Sequence, residues 1–380
     1  MWQNSPMNSA VEAAPSARAA PHAQASDAQR RAAPARPSSR AVAAWLFACC
    51  ALVFAMVVVG GVTRLTHSGL SITEWAPIVG TLPPLSDAAW QAAFAKYQAT
   101  PEFRQVNHAM SLAEFKGIFW WEYFHRLLGR AIGVAFLLPY LYFLVRRRIP
   151  AGYALPLAGI FVLGGLQGAM GWYMVQSGLV DDPRVSHFRL TAHLGLALAI
   201  FAAMLWVALS LAAPARPWPA TRGARTVRRA AFALAALVFV QALAGGLVAG
   251  LRAGFAYNTF PLMNGRVVPP EILMLDPAWT NFFWNMATVQ FDHRLLAWVL
   301  AFAVPWLWWR VHRDDTLPSR VAAAADASLV ALVVQVALGI FTLLLVVPLG
   351  LAAAHQAGAV VLFAATLALA HATSGASPRD

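Results

Sequence analysis

The chain has 380 residues, of which 59% are hydrophobic and only 12% charged, and its formal net charge is +12. Soluble domains carry about twice that share of charge, so the composition excludes a water-soluble globular protein and indicates one that crosses a membrane several times. The basic excess does not indicate nucleic acid, because the arginines sit in short loops between apolar runs and no basic groove with base-stacking aromatics accompanies them.

Residues 1–40 are rich in Ala, Pro, Ser and Arg and read as a disordered cytoplasmic tail. The tail contains no cleavable signal with a short apolar core; Glu12, Asp27 and the prolines argue against a transit peptide. Eight spans are then predicted near 41–63, 118–145, 153–175, 187–211, 230–251, 283–309, 326–347 and 351–371. The last two form one apolar run too long for a single crossing, and Pro348-Leu349-Gly350 marks the expected turn. Cys49 and Cys50 are adjacent inside the first span; neighbouring residues of a helix point apart, so no disulfide is expected.

The loops set the orientation. Arg146-Arg147-Arg148, the stretch 216–229 and the stretch 310–320 share the side of the basic N-terminus, which the positive-inside rule makes cytoplasmic. Both termini are then inside, and two long segments, 64–117 and 252–282, face outside. In the first, Ser86-Asp87 reads as a helix cap, followed by Trp90, Phe94 and Tyr97 at helical spacing, so a short interfacial helix is expected.

An internal repeat organises the whole. Glu122-Tyr123-Phe124-His125-Arg126-Leu127-Leu128 returns as Gln290-Phe291-Asp292-His293-Arg294-Leu295-Leu296, 168 residues later. Gln167 and Gln335 keep the same shift, His193 is echoed by His355, and Gly60-Gly61 by Gly245-Gly246. Four spans per half preserve direction, so the expected architecture is all-α. Two tandem four-helix bundles, 41–214 and 230–371, are related by a pseudo-two-fold axis along the membrane normal. A basic cytoplasmic linker, 215–229, joins them, and 372–380 is a tail.

His125, His193, His293 and His355 lie in the first turns of the even-numbered spans, at one depth toward the outside, two in each half. Paired imidazoles from facing helices are what six-coordinate haem iron requires. A tetrahedral zinc or copper site fits less well, since the repeat divides the histidines between two bundles. The remaining histidines, His22, His67, His108, His187, His312 and His371, read mostly as solvated. Arg64, Arg126, Arg252 and Arg294 break the inside bias and are candidate contacts for haem propionates, with snorkelling to lipid phosphate as the alternative. The glycines Gly164, Gly165, Gly168 and Gly171 are explained by close helix packing. Gln167, Gln241 and Gln335 read as hydrogen-bonding residues between helices. Glu122 shares a helical face with His125, whereas Gln290 in the matching place cannot exchange a proton, so the first half is expected to react and the second to hold its haem; the plainer alternative is that Glu122 only pairs with Arg126 or Arg130.

At these residues the sequence resembles the heme A synthase family in its proteobacterial and mitochondrial form. The resemblance rests on Gly60-Gly61-Val62-Thr63-Arg64-Leu65-Thr66, Ser68-Gly69-Leu70-Ser71 with Glu74-Trp75, and Glu122-Tyr123-Phe124-His125-Arg126. It continues through Asn258-Thr259-Phe260-Pro261-Leu262-Met263, Gln290-Phe291-Asp292-His293-Arg294 and the two later histidines, and spans about 41–371. It implies oxidation of the C8 methyl of heme O to a formyl group by successive hydroxylation, giving heme A for cytochrome c oxidase. Glu122 then matches the essential acid, His125 and His193 the ligands of the substrate haem, and His293 and His355 those of a permanent heme b. Implied partners are a heme O synthase, an electron acceptor or donor in the membrane and the oxidase assembly pathway; a homo-oligomer is compatible with the sequence. The implied location is the cell (inner) membrane, or the mitochondrial inner membrane in a eukaryote. Some members carry a cysteine pair in the outer loops; this chain has none there, so a thiol-based step does not apply. The rival readings are a di-haem b-type electron carrier acting on quinol, which does not account for the acid at Glu122 against Gln290, and a haem transporter or chaperone, for which the duplicated bundle is suggestive.

Overall fold

The computed structural model describes residues 37–76, 78–213 and 218–375. Among them the protein is all-helical, and eight helices are long and apolar enough to cross a membrane. The spanning helices are α1 (Pro37–Leu65), α4 (Leu112–Val145), α5 (Ala154–Gln176), α6 (His187–Ala212), α7 (Arg222–Gly250), α9 (Met286–His312), α10 (Ser319–Leu344) and α11 (Leu349–Ala372). Three short helices, α2 (Asp87–Gln98), α3 (Pro101–Gln105) and α8 (Asn281–Trp284), lie in the two long connections. These connections share one face of the protein, here the loop-bearing face; the opposite face carries the arginine-rich connections.

The expected spans are all present, with ends that local chemistry moves. Of the expected tail 1–40, residues 1–36 lie outside the described residues and 37–40 already belong to α1. The basic stretch 222–229 is helical rather than linker, because the Thr221 hydroxyl caps α7 by accepting from the amide of Ala224 at 3.1 Å. Ser111 and Glu114 form a reciprocal capping box that starts α4 six residues before the expected 118. At 34 residues, α4 is about 50 Å long. That exceeds a hydrocarbon core of about 30 Å, so its first turns project from the loop-bearing face.

The projecting turns are covered. Ser86 caps α2 as expected, its hydroxyl accepting from the amide of Ala89 at 3.2 Å. The face of Trp90, Phe94 and Tyr97 is turned onto Phe115, Phe119 and Tyr123 of α4 rather than toward lipid, and all six rings are buried. The last connection also differs from expectation. The break falls at Leu345–Val347, where Val346 and Val347 both take the left-handed conformation (φ 59°), and Gly350 is already inside α11. Pro348 is the N-cap of that helix.

Within the first half, α1 packs on α4 and α6, and α5 closes the ring between them. Within the second, α7 packs on α9 and α11, with α10 between. The halves meet where α6 lies on α7, α1 on α11, and α6 on α11. Each Gly-Gly pair divides its duties between these surfaces. A Cβ on Gly60 would stand 3.1 Å from His125 of its own half, whereas one on Gly61 would collide with Gln356 of the other. Gly245 likewise faces His293 of its own half, and Gly246 faces Thr191 and Leu194 across the seam. Toward the arginine-rich face the core is continuous through Leu46, Leu198, Met204, Val227, Leu307 and Leu369. Cys49 and Cys50 are buried there as separate thiols.

Candidate functional site

Four histidines of intermediate exposure stand in the same setting, and a glycine makes each setting. The ring of His125 lies against Gly60, His193 against Gly171, His293 against Gly245 and His355 against Gly339; an added Cβ would come within 2.8–3.2 Å of the imidazole in every case. Each glycine sits five residues before the end of its helix, in α1, α5, α7 and α10, which places the four rings at a common depth near the loop-bearing face. Any larger residue would push the imidazole aside. His125 and His193 are close enough for their charges to act on one another, as are His293 and His355. Among the described residues, no three His, Cys, Asp or Glu side chains converge as a metal cage. Paired imidazoles seated in glycine cradles fit the donor set of a six-coordinate haem.

The glutamines complete the cradles. The Gln167 amide donates to the backbone carbonyl of His193 at 3.0 Å, Gln241 to that of His293 at 3.1 Å, and Gln335 to that of His355 at 2.9 Å. They hydrogen-bond between helices, as read from the sequence. The glycine stripe reads differently. Only Gly171 meets a neighbour; an added Cβ at Gly164, Gly165 or Gly168 would meet nothing within 4 Å. Close helix packing therefore does not explain those three.

One turn before His125, the Glu122 carboxylate is 2% exposed and accepts from four donors. Arg126 reaches one oxygen with Nε at 3.0 Å and Nη2 at 2.6 Å. The Ser71 hydroxyl at 2.7 Å and the Ile72 amide at 2.8 Å reach the other. Arg126 also donates to the carbonyls of Ile72 and Glu74, so acid, arginine and connecting loop form one knot. The second half repeats the knot without the charge. Arg294 donates to the Gln290 side-chain oxygen at 2.9 Å and to the carbonyls of Tyr257 and Thr259, while the Gln290 amide donates to the carbonyl of Ala253 at 2.7 Å. The loop motifs around Ser71 and Asn258 thus supply the carbonyls that each arginine needs.

Arg126 and Arg294 are largely engaged in these knots. Arg64 and Arg252 come together across the seam, with Arg252 Nη2 3.2 Å from His67 Nδ1. The His67 imidazole is pushed below its ordinary value, first by partial desolvation and then by Arg252 and Arg64. Two other histidines are not solvated as expected. His187 is buried, edge-on to Trp284 at 4.4 Å between centroids, and His371 lies 3.0 Å from the Ser210 hydroxyl against Trp206.

The sequence reading missed Glu102. It is 5% exposed and receives the Tyr97 hydroxyl at 3.2 Å, which in turn accepts from Asn107 at 2.7 Å. Burial pushes its carboxyl up to about 7; the Tyr97 hydrogen bond opposes this and the charge of Glu122 adds to it. A glutamate in a polar loop gives no signal of burial until the loop folds.

A model of the family described as Cytochrome oxidase assembly protein matches residues 43–367. The Heme A synthase of Nitrosospira multiformis is 61% identical over 330 residues, 87% of this chain and 92% of that protein. That of Nitrosomonas eutropha is 56% identical over 86% of this chain and 92% of its own length. That of Rhodospirillum centenum is 52% identical, covering 85% and 86% respectively. With the glycine-seated histidines, the Glu122–Arg126 knot and this similarity over nearly the whole span-bearing region, the chain belongs to the heme A synthase family.

Proposed function

We propose that this protein oxidises the C8 methyl of heme O to a formyl group by successive hydroxylation and loss of water, yielding heme A for cytochrome c oxidase. The substrate sits in the first half between His125 and His193. A permanent heme b, held by His293 and His355, would supply one-electron transfer in the second. The two halves are tandem four-helix bundles about an axis along the membrane normal; the exchange of partners at Gly61 and Gly246 supports that symmetry. The chain lies in the bacterial inner membrane with both termini cytoplasmic, a reading supported by the arginine-rich loops. A heme O synthase feeds it, and a membrane electron acceptor and the oxidase assembly pathway follow.

The observation that carries the proposal is the pair of matched knots that differ by one charge. Glu122 and Gln290 are each held by the arginine four residues on and each meet the loop that precedes their helix, and of the two only Glu122 carries a carboxylate. A fixed carboxylate beside a macrocycle edge stabilises positive charge developing on the adjacent carbon and gives a proton a place to go. Ser71, Ile72 and Arg126 hold the group in one orientation, so it does not reorganise when that charge appears. Gln290 keeps the arginine contact without the charge, and its amide donates to the Ala253 carbonyl where Glu122 accepts from Ser71 and Ile72, which suits a haem that is to remain unaltered. Arg64 and Arg252, whose guanidinium groups are less committed, are the better candidates for the propionates.

Acid extraction of haem from membranes co-expressing the protein with a heme O synthase tests this. Heme A should appear with wild type and not with Glu122→Gln. Heme O left unchanged by wild type would favour the di-haem electron carrier instead.

A further inference from the structure

The four histidine cradles are alike in their glycine and unlike in one other residue. Four positions before Gly171, Gly245 and Gly339 stand Gln167, Gln241 and Gln335, each donating to the backbone carbonyl of the histidine it faces. Four positions before Gly60 stands Met56. It occupies the corresponding place, its methyl carbon 3.4 Å from where a Cβ on Gly129 would be, one turn along α4 from His125. A thioether has no hydrogen to give, and among the described residues no side chain donates to the carbonyl of His125. The contact also differs in kind, since Gly60 faces Nε2 of His125 whereas Gly171, Gly245 and Gly339 each face Cε1.

We propose that Gln167, Gln241 and Gln335 are clamps that fix three of the imidazoles, and that Met56 leaves His125 as the one imidazole free to withdraw from its haem. This rests on the haem assignment made above. An amide that bridges two helices at the histidine's own carbonyl pins the depth and roll of the backbone that carries the ring. Breaking an iron–nitrogen bond, with the electron pair returning to the imidazole, requires the ring to swing or its helix to shift. Three sites resist that motion. At His125 the neighbour is an unbranched, deformable side chain that yields. Met56 is therefore a positioning residue whose role is to omit a restraint, and it lies in the half that carries Glu122.

The test is carbon monoxide binding to the dithionite-reduced protein, purified with its haem and followed by stopped-flow at the Soret band. Wild type should show one CO-reactive haem. Met56→Gln should slow that phase roughly 3- to 20-fold, the range expected for one hydrogen bond between membrane helices, while the oxidised low-spin spectrum is kept. Met56→Leu, which restores no donor, should stay within about twofold of wild type, as expected for a swap of similar apolar volume. An unchanged rate in Met56→Gln overturns the proposal, as does equal slowing in Met56→Leu, or a wild type with no CO-reactive haem. So does a CO-reactive haem that disappears in His293→Ala, for it would lie in the wrong half. The haem assignment fails separately, if His125→Ala and His193→Ala both leave the oxidised low-spin spectrum untouched.

Discussion

Glu122 and Gln290 differ by an oxygen against an amide nitrogen, and the surroundings match that difference: each is held by the arginine four residues on and each arginine holds the preceding loop, but donors face Glu122 where the Ala253 carbonyl faces the Gln290 amide. Glu122→Gln should lose heme A formation and cost about 1–3 kcal/mol, because its NH2 must face Arg126 or the Ile72 amide, both donors, whereas Gln290 has the Ala253 carbonyl to receive it. Glu122→Ala should behave differently. It strands Arg126 among carbonyls in a site that is 17% exposed and costs about 3–5 kcal/mol, as removing one member of a buried pair does. Thermal unfolding in detergent separates the two variants, and equal stability would sink the argument from the knot. The glycines give a graded prediction of the same kind. Gly339→Ala places a methyl 2.8 Å from the His355 ring and should bleach the heme b spectrum, Gly245→Ala at 3.2 Å should weaken it, and Gly168→Ala, with nothing in reach, should leave it unchanged. The acid and the histidines are legible in the sequence because charge and imidazole are conspicuous in an apolar run. The cradles are not, since a glycine near the end of a span looks the same whether it meets lipid, a helix or a ring.

At the scale of elements, the segment from α2 to the start of α4 is the best test of how the loop-bearing face is built. Trp90, Phe94 and Tyr97 were readable as one face of a helix from their spacing, but which surface covers that face depends on α4 extending past the bilayer. That extension comes from the Ser111–Glu114 capping box, and Ser111→Ala should cost about 1 kcal/mol and fray the first turn. Glu102 adds a pH dependence to this segment. Its folded carboxyl stands near 7 against 4.5 in the unfolded chain, so the protonated form is the one folding favours. That stabilisation is complete below about pH 4.5 and is lost as the pH rises through about 7. Glu102→Gln should match wild type at pH 5 and exceed it toward pH 8, by up to about 3 kcal/mol, at 1.36 kcal/mol per unit. Limited proteolysis of the 64–117 segment across that range measures it; parallel curves for the two proteins would contradict the burial argument.

For the whole molecule, the seam between halves decides whether the two histidine pairs face one another in a fixed relation. Gly61 and Gln356 define it on one side: the Gln356 amide donates to the carbonyl of Val57 at 2.7 Å, and a Cβ on Gly61 would collide with its side chain. Gly61→Ala should lower stability, and adding Gln356→Ala should recover part of the loss, since the second change removes the obstacle. His293→Ala should remove the tightly held heme b spectrum while the eight spans still assemble, because the continuous core lies away from the histidines, toward the arginine-rich face.

The sequence by itself determined the eight crossings, the repeat, the shared depth of the four histidines and the exchange of Glu122 for Gln290. A bilayer penalises polar groups so severely that their positions along the chain become a nearly one-dimensional code. Only the tertiary structure decided which glycine receives which imidazole, that Glu122 is held by a loop some fifty residues earlier, and that Met56 stands where three glutamines stand elsewhere. Those pairings depend on how each helix is rotated about its own axis against its neighbours. That rotation is fixed by contacts among residues far apart in the chain, and no local pattern records it.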